Sequence, residues 1–383
     1  MSAVGAAALR PSTLPTLARR RASARKVDVV LLGATVAMAG MGALVVQSAT
    51  RSMEGVDAGA FLVRQVGFLG LGTVALVAAA AVPARRLRAL APLAWFGCLV
   101  LLLAVLSPLG TVVNGARSWF DLGPIQVQPA ELAKVATIAT LAAYVNAARG
   151  PFGARHLAVC LVIVGAPALL ILGQPDLGSV LVFGAIALGV LLVAGARARH
   201  FAVLAVLGGL VLGAAFATGA IEGYQRDRLT SFAADGGRDD EAGYNLDQAK
   251  TAIGAGGFTG SGLFQGTQTR GRYVPEQQTD FVFTVVGEEL GFLGAASLLA
   301  LFGLVCWRVW RTAWVARGTF GALLCVGVLA MLLFQVFENV GMAMGIMPIT
   351  GLPLPFVSYG GSSLVATLAA IGLVLNVHRA AAH

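Results

Sequence analysis

Long apolar runs constrain this 383-residue chain more than any other feature. A helix that crosses a lipid bilayer needs about 20 mostly apolar residues, and ten runs in the sequence meet that requirement. They lie near 28–49, 60–82, 88–108, 129–147, 155–173, 176–195, 200–220, 281–307, 318–345 and 356–377. Charged residues make up only 12% of the chain, against about 25% in soluble proteins. The sequence therefore predicts an all-α, polytopic integral membrane protein with about ten transmembrane helices.

The basic residues predict how these helices are oriented. The net charge is +9, but lysine and arginine form short clusters between apolar runs, which indicates membrane topology rather than a nucleic-acid-binding surface. With ten spans, most of the 27 basic residues fall on the side of the N-terminus. The positive-inside rule then places both termini in the cytoplasm. We expect residues 1–26 to be a disordered basic tail and residues 27–379 to form a single transmembrane domain.

The connection between the seventh and eighth runs, residues 221–280, is far longer than the usual connection of about 4–6 residues. Under the predicted topology it is a large extracytoplasmic loop, and loops of this length are functional or disordered. Its mixture of apolar and polar positions predicts short helices near 244–254 and 262–268. All four histidines fall at or near the opposite side, so a proton acceptor on the outer side would be a carboxylate.

Asp280, at the start of the eighth run, is the first candidate for such a carboxylate. Its alternative role is that of a helix cap, which would stabilise the helix by about 0.5–2 kcal/mol. Glu276 lies four residues earlier, and Glu288 and Glu289 lie two to three turns deeper. Carboxylates are costly in lipid, so we expect these groups to face protein or a water-filled cavity.

A second group of polar residues lies at 114–134, before and inside the fourth run. Pro129 is suited to the first turn of a helix, and Glu131 and Lys134 are then neighbours on one helix face. A buried structural ion pair is one interpretation. The other is that Lys134, with Arg117 above it, binds an anionic ligand, because charged side chains inside a bilayer are usually functional.

Two further outer segments carry candidates. Asp176 lies in the tight connection between the fifth and sixth runs and acts either as a helix cap or as part of the site. Arg226 and Arg228 lie just above the membrane, where guanidinium groups suit the phosphates of a lipid headgroup. The alternative for both arginines is an ordinary solvated position.

Residues 347–363 are rich in proline and glycine and include Ser358. Such a segment cannot form continuous helix, and broken backbone at membrane depth is tolerated only against protein or a cavity. We therefore expect it to line an outer cavity. Glu338 and Asn339 in the ninth run either contact the same cavity or pair between helices.

Together these segments resemble the SEDS proteins, the RodA/FtsW family of peptidoglycan polymerases. The resemblance rests on six stretches in the family's order: 114–134, 174–179, 224–228, the run ending at Thr269, 275–291 and 347–364. Each stretch alone would be a weak signal, but the combination is specific. The form GLPLP at 351–355 is more similar to RodA, the elongation member, than to FtsW.

The resemblance implies a glycosyltransferase that polymerises lipid II, the undecaprenyl-diphosphate-linked disaccharide pentapeptide, at the outer face of the bacterial cytoplasmic membrane during elongation. Asp280 matches the family's essential aspartate and would act as general base in an inverting reaction. The leaving diphosphate carries negative charge, so nearby cations would stabilise it. The implied substrate-binding residues are Arg64, Arg117, Glu131, Lys134, Asp176, Arg226, Arg228, Lys250, Gln268, Glu276 and Ser358.

The resemblance also implies partners. The family pairs with a class B penicillin-binding protein, a transpeptidase that crosslinks the strands, and the chain would contact membrane lipids but no nucleic acid. The four cysteines form no CxxC pair and no residues have metal-ligand spacing, so the sequence predicts no protein metal site. A divalent cation, Mg²⁺ or Mn²⁺, near Asp280 and the diphosphate is left open.

Three other functions remain compatible with the sequence. A lipid II flippase would need the same cations and cavity but no base outside the bilayer. A non-catalytic membrane scaffold for a transpeptidase would make no glycan under any condition. The chain could also be the division or sporulation member of the same family.

Overall fold

The computed structural model describes residues 27–52, 58–113, 115–123, 125–217 and 241–382. Ten long helices account for most of the described residues: α1 Val29–Thr50, α2 Ala58–Ala81, α3 Ala84–Leu106, α4 Pro129–Ala147, α5 Ala154–Leu172, α6 Leu177–Val193, α7 Ala198–Ala217, α10 Val282–Val315, α11 Thr319–Met344 and α12 Gly361–Ala382. Two shorter helices, α8 Glu241–Ala255 and α9 Thr267–Gly271, lie between α7 and α10. Three short strands, β1 Thr111–Val113, β2 Ala116–Asp121 and β3 Gln126–Val127, join α3 to α4.

The described helices confirm the predicted all-α membrane protein. Seven of them are long and apolar enough to cross a bilayer, and α6 and the first part of α7 are shorter apolar helices. The tenth long helix is α4, which carries the charged residues Glu131 and Lys134. The expected number of about ten spans is therefore confirmed, with α4 as the span whose charges lower its hydropathy.

Several predicted boundaries were wrong. Helix α10 continues to Val315 rather than ending near residue 307, and α12 begins at Gly361 rather than near 356. The later start follows from Phe356, whose left-handed backbone conformation (φ 66°) cannot belong to a right-handed helix. The helix expected at 262–268 lies instead at 267–271, whereas the one expected at 244–254 is confirmed as α8. Residues 218–240 and 1–26, which include the first part of the predicted loop and the predicted tail, lie outside the described residues.

The strands define one end of the helix bundle, named here the sheet end. They form an antiparallel sheet in the order β1-β2-β3, with Thr111 opposite Trp119 and Phe120 opposite Val127. The opposite end carries the start of α1. There Asp28 Oδ1 accepts a hydrogen bond from the Leu31 backbone N–H (3.0 Å) and Oδ2 accepts one from Arg308 Nε (2.8 Å). This capping ion pair fixes α1 against α10.

The proline-rich segment between α11 and α12 runs into the protein interior. Leu352, Leu354 and Val357 are almost completely buried, and Phe356 lies 6.4 Å from the ring of Phe302 in α10. A side chain at Gly42, in the middle of α1, would come within 2.6 Å of the Val357 backbone. The segment thus reaches membrane depth enclosed by helices, as its broken backbone requires.

Helix α10 is itself broken at Gly291, where φ is 64° and ψ is −164°. The loop after α8 takes over the lost hydrogen bonds. Ser261 and Gly262 N–H groups donate to the carbonyls of Glu288 and Glu289 (both 3.0 Å). In the other direction, Phe292 N–H donates to the Gly257 carbonyl (2.9 Å). Because every freed group named here finds a partner in the loop, the kink and the loop stabilise each other.

Gly291→Ala is expected to destabilise the protein by at least about 2 kcal/mol, because essentially only glycine adopts this backbone conformation and the added methyl would lie 2.3 Å from the Gly260 nitrogen. Gly303→Ala is the matched control on the same helix, since nothing lies within 4 Å of its Cβ position. Thermal unfolding in detergent measures both. Equal melting temperatures for the two variants would contradict the kink.

Candidate active site

Asp280 lies in a tight turn immediately before α10. The backbone carbonyl of Glu276 accepts hydrogen bonds from the N–H groups of Thr279 (3.1 Å), Asp280 (3.0 Å) and Phe281 (3.3 Å). Glu276 adopts a left-handed conformation with φ 49°, which is uncommon for a residue with a side chain. Phe281, not Asp280, occupies the N-cap position of α10. The turn therefore fixes the half-buried Asp280 just above the helix start.

Asn339 of α11 holds this turn from below. Its Nδ2 donates to the Asp280 carbonyl (2.7 Å) and to the Leu352 carbonyl (2.8 Å), and its side chain is completely buried. On a second side, the Tyr359 N–H donates to the Gln278 carbonyl (2.9 Å). The proline-rich segment and α11 are thus both bonded to the backbone around Asp280. Of the two roles considered for Asn339, the structure supports pairing between elements.

Gln277 ties the turn to a third side. Its Nε2 donates to the Thr269 carbonyl of α9 (3.0 Å) and to the Ala49 carbonyl of α1 (3.3 Å). The side chain is buried, so both bonds are shielded from water. Movement of α9 or α1 would therefore be transmitted to the segment that carries Asp280.

Glu288 explains why α9 forms at all. Its carboxylate accepts hydrogen bonds from the backbone N–H groups of Gln268 (2.7 Å) and Thr269 (2.9 Å), and from the Thr269 hydroxyl (2.7 Å). These are the first-turn N–H groups of a helix, which otherwise lack partners. Glu289 accepts a hydrogen bond from the Ser48 hydroxyl of α1. Both carboxylates face protein, as their position in a membrane helix predicted.

Glu131 and Lys134 form a buried ion pair, with Lys134 Nζ 2.7 Å from Glu131 Oε1. The exposed fraction is 0% for the Lys134 side chain and 3% for the Glu131 side chain. The predicted i,i+3 contact is therefore present. Arg117 is not part of it: the exposed arginine lies on β2, where its Nη1 donates to the Ser107 carbonyl (3.4 Å). Lys134 is among the largest fully buried side chains of the described residues.

Asp176 caps α6 and connects it to α4. Its Oδ1 accepts from the Ser179 N–H (2.9 Å) and its Oδ2 from Gln128 Nε2 (3.3 Å). The Gln128 N–H in turn donates to the Ser362 hydroxyl at the start of α12 (2.9 Å). The starts of three helices therefore meet at this point. The capping role proposed for Asp176 is present, and the side chain remains half-exposed.

The other predicted site residues have different surroundings. Ser358 is buried and its Oγ accepts a hydrogen bond from the Leu354 N–H (2.8 Å), which closes a turn inside the proline-rich segment. Gln268 contributes its backbone to the Glu288 contact. Lys250 lies on α8 beside Gly345, at the end of α11. Its ammonium is therefore near the negative end of that helix dipole.

Arg64 lies exposed on α2, between Phe61 and Phe68. The rings of these two residues lie 4.9 Å and 6.4 Å from that of Tyr359. Arg64 is thus on the helix that packs against the segment bonded to the Asp280 turn. Arg226 and Arg228 lie outside the described residues.

A cavity of about 340 Å³ opens on the Asp280 turn, lined by Arg272, Val274, Pro275, Glu276, Gln277 and Gln278. Arg272 follows α9 in a left-handed conformation (φ 53°) and brings a cation to this cavity. Arg272 was not among the predicted site residues. Its position eight residues before Asp280, between the matched stretch ending at Thr269 and the one at 275–291, was the available signal.

A protein metal site is not formed by the described part of the chain: no three histidine, cysteine, aspartate or glutamate side chains are grouped there. The groups available around this turn are the Asp280 carboxylate, the neighbouring Glu276 and guanidinium groups. Such a set can accept a proton and stabilise an anion.

Comparison with known proteins identifies relatives over nearly the whole chain. The family model "Cell cycle protein", which covers FtsW, RodA and SpoVE, matches residues 29–383. The chain is 36% identical over 352 residues to the peptidoglycan glycosyltransferase MrdB of Escherichia coli strain K12, covering 92% of this chain and 93% of that protein.

Two solved structures are also similar. The first comes from work on structural coordination of polymerization and crosslinking by a peptidoglycan synthase complex. It matches with a TM-score of 0.79 and 36% identity, covering 93% of this chain and 98% of that one. The crystal structure of the rod shape determining protein RodA of Thermus thermophilus matches with a TM-score of 0.68 and 34% identity, covering 92% and 97%. The fold, the motifs and these matches agree, and the chain belongs to the FtsW/RodA/SpoVE family.

Proposed function

We propose that this protein is a peptidoglycan glycosyltransferase that polymerises lipid II at the outer face of the bacterial cytoplasmic membrane. The observation that carries the proposal is the Asp280 turn, which is bonded to α11, to the proline-rich segment and to α1 and α9. A general base must be held within hydrogen-bond reach of the proton that it accepts. A turn anchored on three sides meets that demand better than a free loop.

The proposed reaction transfers a sugar with inversion. The acceptor's 4-hydroxyl oxygen attacks C1 of the donor sugar as the Asp280 carboxylate takes the hydroxyl proton. The bond between C1 and the diphosphate oxygen breaks, and the diphosphate leaves on its lipid. Because this leaving group is already anionic, it needs no strong acid but does need positive charge. Arg272, with Arg117, Arg226 and Arg228, supplies that charge in the proposal.

Lys134 and Glu131 have a positioning role in this proposal. The pair lies in the first turns of α4, three and six residues beyond Gln128, which contacts both Asp176 and Ser362. Removing one partner of a buried ion pair leaves an uncompensated charge, which destabilises strongly. The pair therefore keeps the first turns of α4 intact, and Gln128, directly before them, holds the starts of α6 and α12.

A divalent cation is compatible with the residues present. Mg²⁺ is commonly bound by one or two carboxylates together with substrate phosphates. Glu276, exposed at the edge of the cavity beside Asp280, is the side chain that would hold Mg²⁺ or Mn²⁺ there. The ion would add positive charge at the leaving diphosphate.

The proposed cellular setting follows from the charge distribution and the family. The positive-inside rule places both termini in the cytoplasm, and the sheet end then faces outward. The GLPLP stretch and the similarity to RodA favour a role in elongation. We also propose a class B penicillin-binding protein as the partner that crosslinks the product, docked near α10 and α11.

Asp280→Asn is expected to lower lipid II polymerisation about 10²–10⁴-fold, the usual contribution of a general base, without weakening lipid II binding. The assay uses the purified protein in complex with its transpeptidase partner, with glycan products separated by gel. Asp247→Asn is the matched control, because Asp247 is an exposed aspartate on α8. Full polymerisation by Asp280→Asn would exclude Asp280 as the base. Transport of lipid II by the unmodified protein, without polymerisation, would favour a flippase.

Asn339→Leu keeps the number and branching of the side chain's non-hydrogen atoms but removes its hydrogen bonds to the Asp280 and Leu352 carbonyls. We expect turnover to fall about 10²-fold, since a misplacement of about 1 Å has that effect, while KM for lipid II changes little. Gln335→Leu, one turn earlier on α11 and equally buried, is the control. An unchanged turnover number in folded Asn339→Leu would show that this contact does not position Asp280.

A further inference from the structure

A second cavity lies at the sheet end, next to the side of the Asp280 turn on which Gln277 contacts Ala49 and Thr269. It has a volume of about 330 Å³ and is lined by Ser48, Arg51, Ser52, Phe264 and Arg270. Ser48 belongs to the last turns of α1, and Arg51 follows that helix directly. Phe264 and Arg270 come from the loop and helix held by Glu288. The cavity is therefore built where α1 meets the loop.

Phe264 orients both arginines of this cavity. Its ring lies 5.4 Å from the Arg51 guanidinium carbon, and its carbonyl accepts hydrogen bonds from Arg270 Nε (2.9 Å) and Nη2. Phe264 adopts a left-handed backbone conformation with φ 63°, which is rare for an aromatic residue. Contacts with Phe264 therefore hold the Arg51 and Arg270 guanidinium groups on the same cavity.

No described carboxylate neutralises these two cations. The ion pairs among the described residues are Lys134–Glu131 and Arg308–Asp28. The Glu289 carboxylate accepts a hydrogen bond from the Ser48 hydroxyl, but it forms no ion pair within 4 Å with either described guanidinium. Arg51, the unused Nη1 of Arg270 and the Ser52 hydroxyl remain as donors toward the cavity. Converging guanidinium donors of this kind match the oxygens of a phosphate group.

The position of the cavity indicates what kind of phosphate it receives. Arg51 stands directly after a 22-residue apolar helix, at the level where lipid headgroups lie. Leu44, four residues before Ser48 and so on the same helix face, is 47% exposed. Phe258, in the loop that also carries Phe264, and Phe292 of α10 are also exposed, and their rings stack at 5.7 Å. A phosphate site whose helix and loop also carry exposed apolar side chains suits the headgroup and chains of one lipid.

We propose that this second cavity is a binding site for a lipid phosphate. Two lipids carry that chemistry: an anionic glycerophospholipid of the membrane, and the lipid-linked diphosphate of the proposed reaction. The second source rests on the proposed function, whereas the first does not.

Lipid binding to the purified full-length protein tests the site. Native mass spectrometry titrations in detergent would use phosphatidylglycerol, undecaprenyl diphosphate, diacylglycerol (chains without phosphate) and inorganic phosphate. The test variant is R51Q/R270Q, and R51K/R270K keeps the charge but not the planar donors. The control is R197Q/R199Q, which removes two exposed arginines at the opposite end of the bundle.

We expect R51Q/R270Q to bind the phosphate-bearing lipid at least about tenfold more weakly, R51K/R270K to be intermediate, and R197Q/R199Q to match the unmodified protein within about twofold. Loss confined to phosphatidylglycerol supports a membrane phospholipid. Loss confined to undecaprenyl diphosphate supports the lipid-linked diphosphate.

Equal binding by R51Q/R270Q and the unmodified protein would overturn the proposal, as would equally tight binding of diacylglycerol or of inorganic phosphate alone. Asp280→Asn should leave this binding unchanged. Failure of the lipid site is therefore distinguishable from failure of the proposed catalytic role.

Discussion

The exchange of hydrogen bonds between the broken helix α10 and the loop before it is the interaction on which the site depends. At Gly291 the helix gives up its own backbone bonds, and the loop at 257–262 replaces them. In the same region the Glu288 carboxylate supplies the acceptors that start α9. Unpaired backbone groups are costly at membrane depth, so neither the kink nor the loop is stable without the other. The segment leading to Asp280 is thereby tied to the membrane domain.

This arrangement explains why a carboxylate buried in a transmembrane helix is tolerated. Glu288 is 1% exposed, yet its oxygens meet backbone N–H groups and a hydroxyl rather than lipid. The Glu131–Lys134 pair solves the same problem by charge neutralisation, and Asp28 does so with a helix start and Arg308. At Glu288 and at Asp28, burial of charge therefore coincides with a place where separate elements are joined, whereas the Glu131–Lys134 pair lies within α4.

The sequence predicted the features that depend on local pattern. Apolar runs located the helices, and the three-residue spacing of Glu131 and Lys134 predicted their contact. The glycines and prolines of 347–363 predicted a broken segment within the bundle. Asp280 was selected because it is a carboxylate at the start of a span.

Features that depend on distant partners were not predictable in this way. The stretch around Gly291 has the composition of a continuous helix, and only the approach of Gly260 explains its break. Asn339 had two possible roles until its bonds to the Asp280 and Leu352 carbonyls were known. Arg272 and the arginine pair around Phe264 were counted only as loop charges. Their grouping follows from left-handed backbone conformations that the sequence pattern does not reveal.

The central claim is that these contacts present the Asp280 side chain to the hydroxyl group of a sugar acceptor. A cryo-electron microscopy structure of the full-length Asp280→Asn protein with lipid II bound tests it most directly. The account predicts that the residue-280 side chain lies within about 3.2 Å of the acceptor 4-hydroxyl, or one water molecule away. An acceptor sugar bound elsewhere, with its hydroxyl out of reach of residue 280, would contradict it.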